Sequence, residues 1–130
     1  MKGELRTNLK RKIMKIDKHL RTDIDLIKSN LSTELIKVAL FGSCIKSFPD
    51  ANDIDIALFL KPHKVEVIKQ KLLKLNLHHS INPKRINTNY GGGGGSPKSL
   101  CKVKEFDFLL LDNSRSNDLF YSKNPKVVFL

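Results

Sequence analysis

Apolar residues recur over residues 5–31 at spacings of three or four, which is the period of one face of an α-helix. The stripe comprises Leu5, Leu9, Ile13, Ile16, Leu20, Ile24, Ile27 and Leu31. It predicts one long N-terminal helix, or a helix pair broken near Thr22–Asp23 with Thr22 as the cap of the second helix. Arg11, Lys15 and Lys18 lie opposite the stripe and give this region a basic face.

Three later apolar runs have the length and composition of buried strands. They span Leu35–Phe41, Asp53–Leu60 and Val103–Leu111. Apolar positions at 65, 68, 72 and 75 have helical spacing and predict an amphipathic helix between the second and third runs. Residues 43–48 predict one or two helical turns and residues 118–121 a short helix, whereas 76–100 show no clear pattern and 126–130 are too few to assign.

The order helix, strand, helix, strand, helix, strand predicts an α/β or α+β fold. We expect a small mixed sheet of three or more strands flanked by helices, in a single domain over residues 1–130. Gly91–Ser96 reads GGGGGS, the composition of a flexible linker, and predicts an engineered replacement of a native loop. Pro97-Lys98-Ser99 follows it, so the Gly-Lys-Ser/Thr of a P-loop is missing there.

The charge balance is the unusual part of the composition. Lys and Arg number 24 against 13 Asp and Glu, a formal net charge of +11. This charge favours an anionic partner, with RNA first, an acidic protein second and a membrane surface third. No apolar run approaches the ~18 residues that span a bilayer, so we expect neither a signal peptide nor a transmembrane helix and assign no membrane partner. Cys44 and Cys101 make no disulfide framework, which favours a cytoplasmic protein.

Two carboxylates interrupt the second predicted strand. Because side chains alternate between the faces of a strand, Asp53 and Asp55 lie on one side and Ile54 and Ile56 on the other. Neighbouring carboxylates repel each other and are costly to bury unless a cation lies between them. Mg²⁺ suits this role because it takes carboxylate oxygens and keeps positions for water and phosphate. A solvated strand end beside a turn is the alternative interpretation.

A third carboxylate would allow two metal ions, the arrangement used for in-line transfer at phosphorus. Asp107 is the candidate, because Phe106 and Phe108 flank it within the third predicted strand. Glu105 has the same parity along that strand and is the alternative.

Gly42 and Ser43 directly follow the first predicted strand and favour a ligand site over a solvated strand end. Glycine lets the backbone approach a ligand closely, and the residues after it can open a helix whose free N–H groups attract phosphate. Ser43 adds a hydroxyl donor. A phosphate cradle followed by an Asp-x-Asp pair predicts binding of a nucleoside triphosphate with magnesium.

These residues resemble the signature of the polymerase-beta-like nucleotidyltransferase superfamily, above all its minimal single-domain members. The signature is carried by Phe41-Gly42-Ser43, nine further residues and Asp53-Ile54-Asp55. Phe106-Asp107-Phe108 is similar to the setting of the family's third acid, and Lys46 matches a basic residue three positions after the serine. Asn52 stands where minimal members often have serine. The resemblance covers residues 35–112.

The resemblance implies transfer of a nucleoside monophosphate from a triphosphate, with ATP expected first, to an acceptor hydroxyl and release of pyrophosphate. It implies two Mg²⁺ ions held by Asp53, Asp55 and Asp107, with Asp107 beside the nucleophile and able to accept its proton. The β- and γ-phosphates would be bound by Gly42, Ser43 and, as an added cation, Lys46.

The acceptor stays open between two classes. A protein hydroxyl is the acceptor of antitoxin-type members, which adenylylate a partner toxin, and an RNA end is the acceptor of toxin-type members, which act on tRNA. Small size favours the first and basic charge the second. The alternative function is a non-catalytic module of the same fold that binds RNA or a partner protein through its basic surface.

Further basic residues flank the gap before the third predicted strand, namely Lys84, Arg85, Lys98, Lys102 and Lys104. With the basic face of the first helix they predict either an RNA track or a solvated lysine-rich surface. His78 and His79 are adjacent and would point to opposite sides of an extended segment, which argues against a joint metal site.

Overall fold

The structure, a computed structural model, describes residues 9–13, 15, 17–42, 45, 53–88 and 105–130. Within them, five strands form one mixed sheet: β1 (Leu35–Phe41), β2 (Asp53–Leu60), β3 (Ser80–Thr88), β4 (Glu105–Leu111) and β5 (Val128–Phe129). Their order across the sheet is β3-β4-β2-β1-β5. β1 is antiparallel to β2 and β5, whereas β4 is parallel to β2 and β3. The predicted mixed α+β fold class is confirmed.

Some residues singled out in the sequence lie outside the described residues. They include Leu5, Ile16, Ser43, Cys44, Lys46, Asn52, Val103 and the Gly91–Ser96 linker, together with Lys98, Cys101, Lys102, Lys104 and most of the helical turns predicted over 43–48.

Three helices cover the sheet: α1 (Lys18–Asn30), α2 (Val65–Lys74) and α3 (Ser114–Lys123). Residues 9–13 are helical as well, but a single long N-terminal helix is not observed. The expected break near Thr22–Asp23 is wrong, because both residues lie inside α1. The helix begins after Asp17, whose side chain accepts a hydrogen bond from the Leu20 N–H at 3.1 Å and so satisfies a donor that lacks a helical partner.

The two faces of the sheet carry separate apolar clusters. On one face, α1, α2 and residues 9–13 pack against alternate residues of the strands, including Ile54, Ile56, Phe106 and Phe108. On the other face, Phe120 of α3 packs in a smaller cluster whose strand members are Ala39, Ala57, Phe59, Leu109 and Leu111. The second face therefore has a much thinner helical cover within the described part of the chain. No described helix is long and apolar enough to cross a membrane.

β3 was not predicted, because its polar sequence includes a bulge. Ile81 pairs with Phe106 and Ile86 with Phe108, so residues 82–85 lie opposite a single residue of β4. Pro83 lies in this bulge, where the loss of a backbone donor is tolerated. The bulge leaves Ile86 in the helical-face core and aims Arg85 at the opposite face.

A buried polar cluster attaches α1 to the start of β3. Asp23, with no exposed surface, accepts hydrogen bonds from the backbone N–H groups of His78 and His79 at 2.8 and 2.9 Å. The His79 ring bridges two carboxylates, with Nδ1 at 2.6 Å from Asp23 and Nε2 at 2.8 Å from Asp17. Because both ring nitrogens face carboxylates, His79 serves to hold the helix to the sheet.

Candidate functional site

Four carboxylates lie side by side at the start of two parallel strands. Asp53 pairs in register with Glu105, and Asp55 pairs with Asp107. All four share the face opposite Ile54, Ile56, Phe106 and Phe108, since those apolar residues belong to the helical-face core. The parity of Asp53 and Asp55, and the placing of Asp107 and Glu105 on the same face, agree with the sequence-based expectations.

Arg85 reaches into this group from β3. Its guanidinium Nη1 lies 2.9 Å from Asp53 Oδ2 and 3.9 Å from Asp107 Oδ2, and its Nε lies 3.4 Å from Glu105 Oε2. The Arg85 residue is only 4% exposed. Asn87, two residues further along β3, donates from Nδ2 to Asp107 Oδ1 at 3.1 Å. One buried cation is therefore shared by three carboxylates.

Burial and neighbouring charges perturb the pKa of two of these carboxylates, Asp55 and Asp107. Burial raises the pKa of Asp55 to about 7, and the charges of Asp107 and Asp53 act in the same direction against the opposing effect of Arg85. Burial also raises the pKa of Asp107, although Arg85 and the hydrogen bond from Asn87 oppose the shift. One guanidinium does not neutralise the group, and Asp55 gains stabilisation from binding a proton or a further cation.

Gly42 lies directly against Asp55. Its φ of +76° is in the left-handed region that disfavours other residues. A methyl group on Gly42 would lie 3.1 Å from Asp55 Cγ and would overlap the carboxylate oxygen. Phe41, the residue before it, pairs with Asp55 across β1 and β2. The main-chain carbonyl of Gly42 accepts a hydrogen bond from the Ile45 N–H at 3.2 Å. Because a side chain at position 42 would overlap the Asp55 carboxylate, glycine is required for the close approach of the end of β1 to Asp55.

The described residues place Gly42, Asp53, Asp55 and Asp107 together, whereas the predicted phosphate ligands Ser43 and Lys46 lie outside them. Arg85 and Asn87 are site residues that the sequence did not assign to the acids. The alternation in Arg85-Ile86-Asn87, polar-apolar-polar, was the available signal, but the bulge just before it hides the strand.

The carboxylate oxygens of this site are candidate ligands for a divalent cation. No cluster of three or more His, Cys, Asp or Glu side chains in the described part of the chain is already arranged as a metal site. Arg85 instead acts as the counter-ion there. The residues nevertheless fit Mg²⁺ in chemistry, because carboxylate oxygens are its preferred protein ligands. Asp53 Oδ1 is buried without a hydrogen-bond partner among the described residues, and the raised pKa of Asp55 reflects a shortage of positive charge.

Comparison of the chain with protein-family models, with curated proteins and with solved structures finds no match.

Proposed function

We propose that this protein is a metal-dependent nucleotidyltransferase that transfers a nucleoside monophosphate from a nucleoside triphosphate to a hydroxyl of a protein or RNA acceptor. ATP is the first candidate for the triphosphate. The observation that carries the proposal is the in-register pairing of Asp55 with Asp107, with Gly42 closely opposed to Asp55. A carboxylate pair on adjacent strands beside a strand-end glycine supports binding of a cation next to phosphate.

In the proposed reaction the acceptor oxygen forms a bond to the α-phosphorus while the bond from that phosphorus to the pyrophosphate oxygen breaks. Asp53, Asp55 and Asp107 would hold two Mg²⁺ ions, which would supply charge neutralisation for the triphosphate. Asp107 accepts the proton of the acceptor hydroxyl, as a carboxylate placed beside the nucleophile can. The backbone at Gly42, with Ser43 and Lys46, binds the β- and γ-phosphates. Pyrophosphate leaves with the electron pair of the broken bond.

The test is incubation of the full chain with each α-³²P-labelled triphosphate, Mg²⁺ and a cell extract. Asp53→Asn/Asp55→Asn keeps the shape of the site and removes two charges, whereas Glu66→Gln/Asp118→Asn removes the same number of charges from exposed helix positions. We expect label on a macromolecule with the unchanged protein and the control variant only. Protease or nuclease treatment of the labelled band then identifies the acceptor class.

Binding of Mn²⁺ and of a non-hydrolysable triphosphate, measured by calorimetry, separates a missing acceptor from a wrong proposal. Binding that depends on Asp53 and Asp55 but produces no label indicates that the extract lacks the acceptor. If the folded protein binds neither ligand, the enzyme proposal is wrong.

A non-catalytic module is the second candidate, and Arg85 is the observation that favours it. Its guanidinium bridges Asp53, Glu105 and Asp107, so the chain itself supplies a counter-ion to three of the four carboxylates. In a module of this kind the acidic cluster would be structural, and removal of Asp53 and Asp55 would leave partner binding unchanged.

A further inference from the structure

A groove beside α1 concentrates positive charge. It encloses about 610 Å³ and extends from helical residue Lys10 along α1 to Lys28 and Leu130. The described residues that line it include six cations: Lys10, Arg11, Lys15, Lys18, Arg21 and Lys28. Asp25 is the one carboxylate in the same described lining.

The cations of this basic groove are not paired with carboxylate side chains in the described part of the chain. None of the ion pairs found there involves any of the six groove cations. Lys28 donates a hydrogen bond to the main-chain oxygen of Leu130 at 3.1 Å. Like charges gathered on a concave surface focus the electrostatic field and raise the local concentration of anions.

The lining discriminates between classes of anionic partner. Its apolar members among the described residues are Ile24 and Leu130, both buried, and none of these lining residues is aromatic. Protein partners are usually anchored by aromatic or aliphatic side chains in pockets, and membrane-surface helices insert exposed apolar side chains. Stacking of nucleic-acid bases would likewise need aromatic platforms. The described lining of the groove therefore offers mainly positive charge, which suits a polyanion.

We propose that the basic groove binds the phosphodiester backbone of a nucleic acid without reading its sequence. Lys18 and Lys28 lie ten residues apart on α1, or about 15 Å at the helical rise, which is enough to meet several phosphates of one strand. This binding requires neither a triphosphate nor a metal ion, so it goes beyond the proposed transfer reaction and does not depend on it.

The contacts at the start of α1 show where the groove lies relative to the carboxylates of the sheet. Asp17, at the start of α1, contacts the ring of His79. His79 directly precedes β3, whose first residue, Ser80, pairs with Glu105. The start of α1 therefore lies at the same end of the sheet as the carboxylates, on the opposite face. A nucleic-acid strand bound in the groove would pass near the end of the sheet that carries the four carboxylates.

The test measures binding of fluorescent 20-nucleotide RNA and DNA of one sequence in EDTA, at several salt concentrations. The groove variant is Arg11→Gln/Lys18→Gln/Arg21→Gln. The control variant, Lys61→Gln/Lys74→Gln/Lys126→Gln, removes the same charge from exposed positions outside the groove. Six engaged cations give a slope of log K against log salt of about −4, and the groove variant should lower its magnitude by about 2. We expect at least tenfold weaker binding at low salt for the groove variant than for the control.

Binding of both nucleic acids supports backbone recognition, and binding of RNA alone adds a preference for the 2′-hydroxyl. The proposal is overturned if the two variants weaken binding equally, or if neither RNA nor DNA binds at low salt. It is equally overturned if polyglutamate or vesicles of anionic lipid bind as tightly as nucleic acid. Because nucleotide and metal are absent, failure here leaves the transfer proposal standing, and failure of transfer leaves this one standing.

Discussion

Replacing Arg85 with methionine removes the cation that three carboxylates share. The guanidinium lies 2.9 Å from Asp53, 3.4 Å from Glu105 and 3.9 Å from Asp107. Methionine keeps an unbranched apolar stem of similar reach but carries no charge. The change therefore tests the electrostatic role of the residue more than its packing.

The expected cost follows from the burial of the partners. Removing one member of a buried ion pair costs about 3–5 kcal/mol, because the remaining charge stays buried. The side chains of Asp53 and Asp107 keep 25% and 31% of their exposure, so water screens part of the loss. We expect the free energy of unfolding to fall by about 3 kcal/mol at pH 7 in EDTA. The loss should be smaller at pH 5, where the crowded carboxylates bind protons more readily.

Divalent cations should reverse part of this loss. At about 4 Å two unit charges repel by roughly 1 kcal/mol in water and 4 kcal/mol at an effective dielectric constant of 20. Without the guanidinium, Mn²⁺ should therefore bind at least about tenfold more tightly than in the unchanged protein. Urea denaturation in EDTA and in graded MnCl₂ measures both effects, since the added stability depends on the ratio of free metal to Kd. Arg85→Lys, which keeps a charge, should lie between the two proteins in EDTA.

Lys71→Met is the matched control. Lys71 forms an ion pair with Glu34 at 2.8 Å, but its side chain is 40% exposed. This variant should also lose stability, because it leaves the buried carboxylate of Glu34 unpaired, but Mn²⁺ should restore none of that loss, because Glu34 is a single carboxylate. An Arg85→Met protein as stable as the unchanged one in EDTA, or one stabilised by Mn²⁺ no more than the control, would refute this account of the acidic cluster.

Three further predictions concern single positions. The folded state raises the pKa of Asp55 from 3.8 to about 7. The metal-free protein should therefore lose stability as the pH rises from 4 to 7, by at most about 1.4 kcal/mol per pH unit per proton. Urea denaturation at a series of pH values should show a smaller dependence of the unfolding free energy on pH for Asp55→Asn and in the presence of Mg²⁺. Gly42→Ala should lower the free energy of unfolding by about 1–3 kcal/mol, because of the left-handed backbone and the clash with Asp55. The double variant with Asp55→Ala should lose less stability than the sum of the two single losses, because the clash is then absent. Additive losses would contradict the contact. Asp23→Ala should cost about 3 kcal/mol or more by leaving the His78 and His79 N–H groups unpaired, whereas exposed Asp25→Ala should change the thermal midpoint little; equal effects would argue against the buried cluster.

The strands that the sequence predicted are those with continuous apolar runs. Leu35–Phe41 and Asp53–Leu60 have the same bounds in the structure, because a strand buried between two layers has few polar interruptions. The strand predicted from Val103 is described from Glu105 onward. The helix over residues 65–74 was indicated by its apolar period. Burial on both sides makes the local pattern informative.

Elements defined by tertiary contacts were missed or misplaced. β3 lies at the edge of the described sheet and its period is broken by the bulge around Pro83. Residues 114–123 form a longer helix than the expected 118–121, because the Asn113 side chain caps it by accepting from the Ser116 N–H at 2.9 Å. Thr22–Asp23 looked like a possible break between two helices, but Asp23 is a buried anchor for the start of β3, a role that depends on residues 55 and 56 positions away.

The same limit explains why half of the candidate site could be predicted. Asp53, Asp55 and Asp107 were recognisable because a carboxylate in an apolar run conflicts with burial. Arg85, which relieves that conflict, was assigned only to a general basic surface, because nothing local relates a cation in a polar segment to carboxylates on other strands. Its partner contacts depend on the parallel pairing of β3 with β4, which no local pattern indicates.

The layering of the sheet follows from the residues of its second face. Along that face β2 changes from Asp53 and Asp55 to Ala57 and Phe59, and β4 changes from Glu105 and Asp107 to Leu109 and Leu111. Among the described elements, α3 packs with the apolar half through Phe120, while Arg85 and Asn87 contact the acidic half. A helix lying on the acidic half would strip water from four carboxylates, of which three share one guanidinium, at a cost of several kcal/mol for each unpaired charge. Within the described part of the chain the helical cover therefore stops where the apolar residues of this face stop, and the carboxylates on which the proposed chemistry rests lie beyond it.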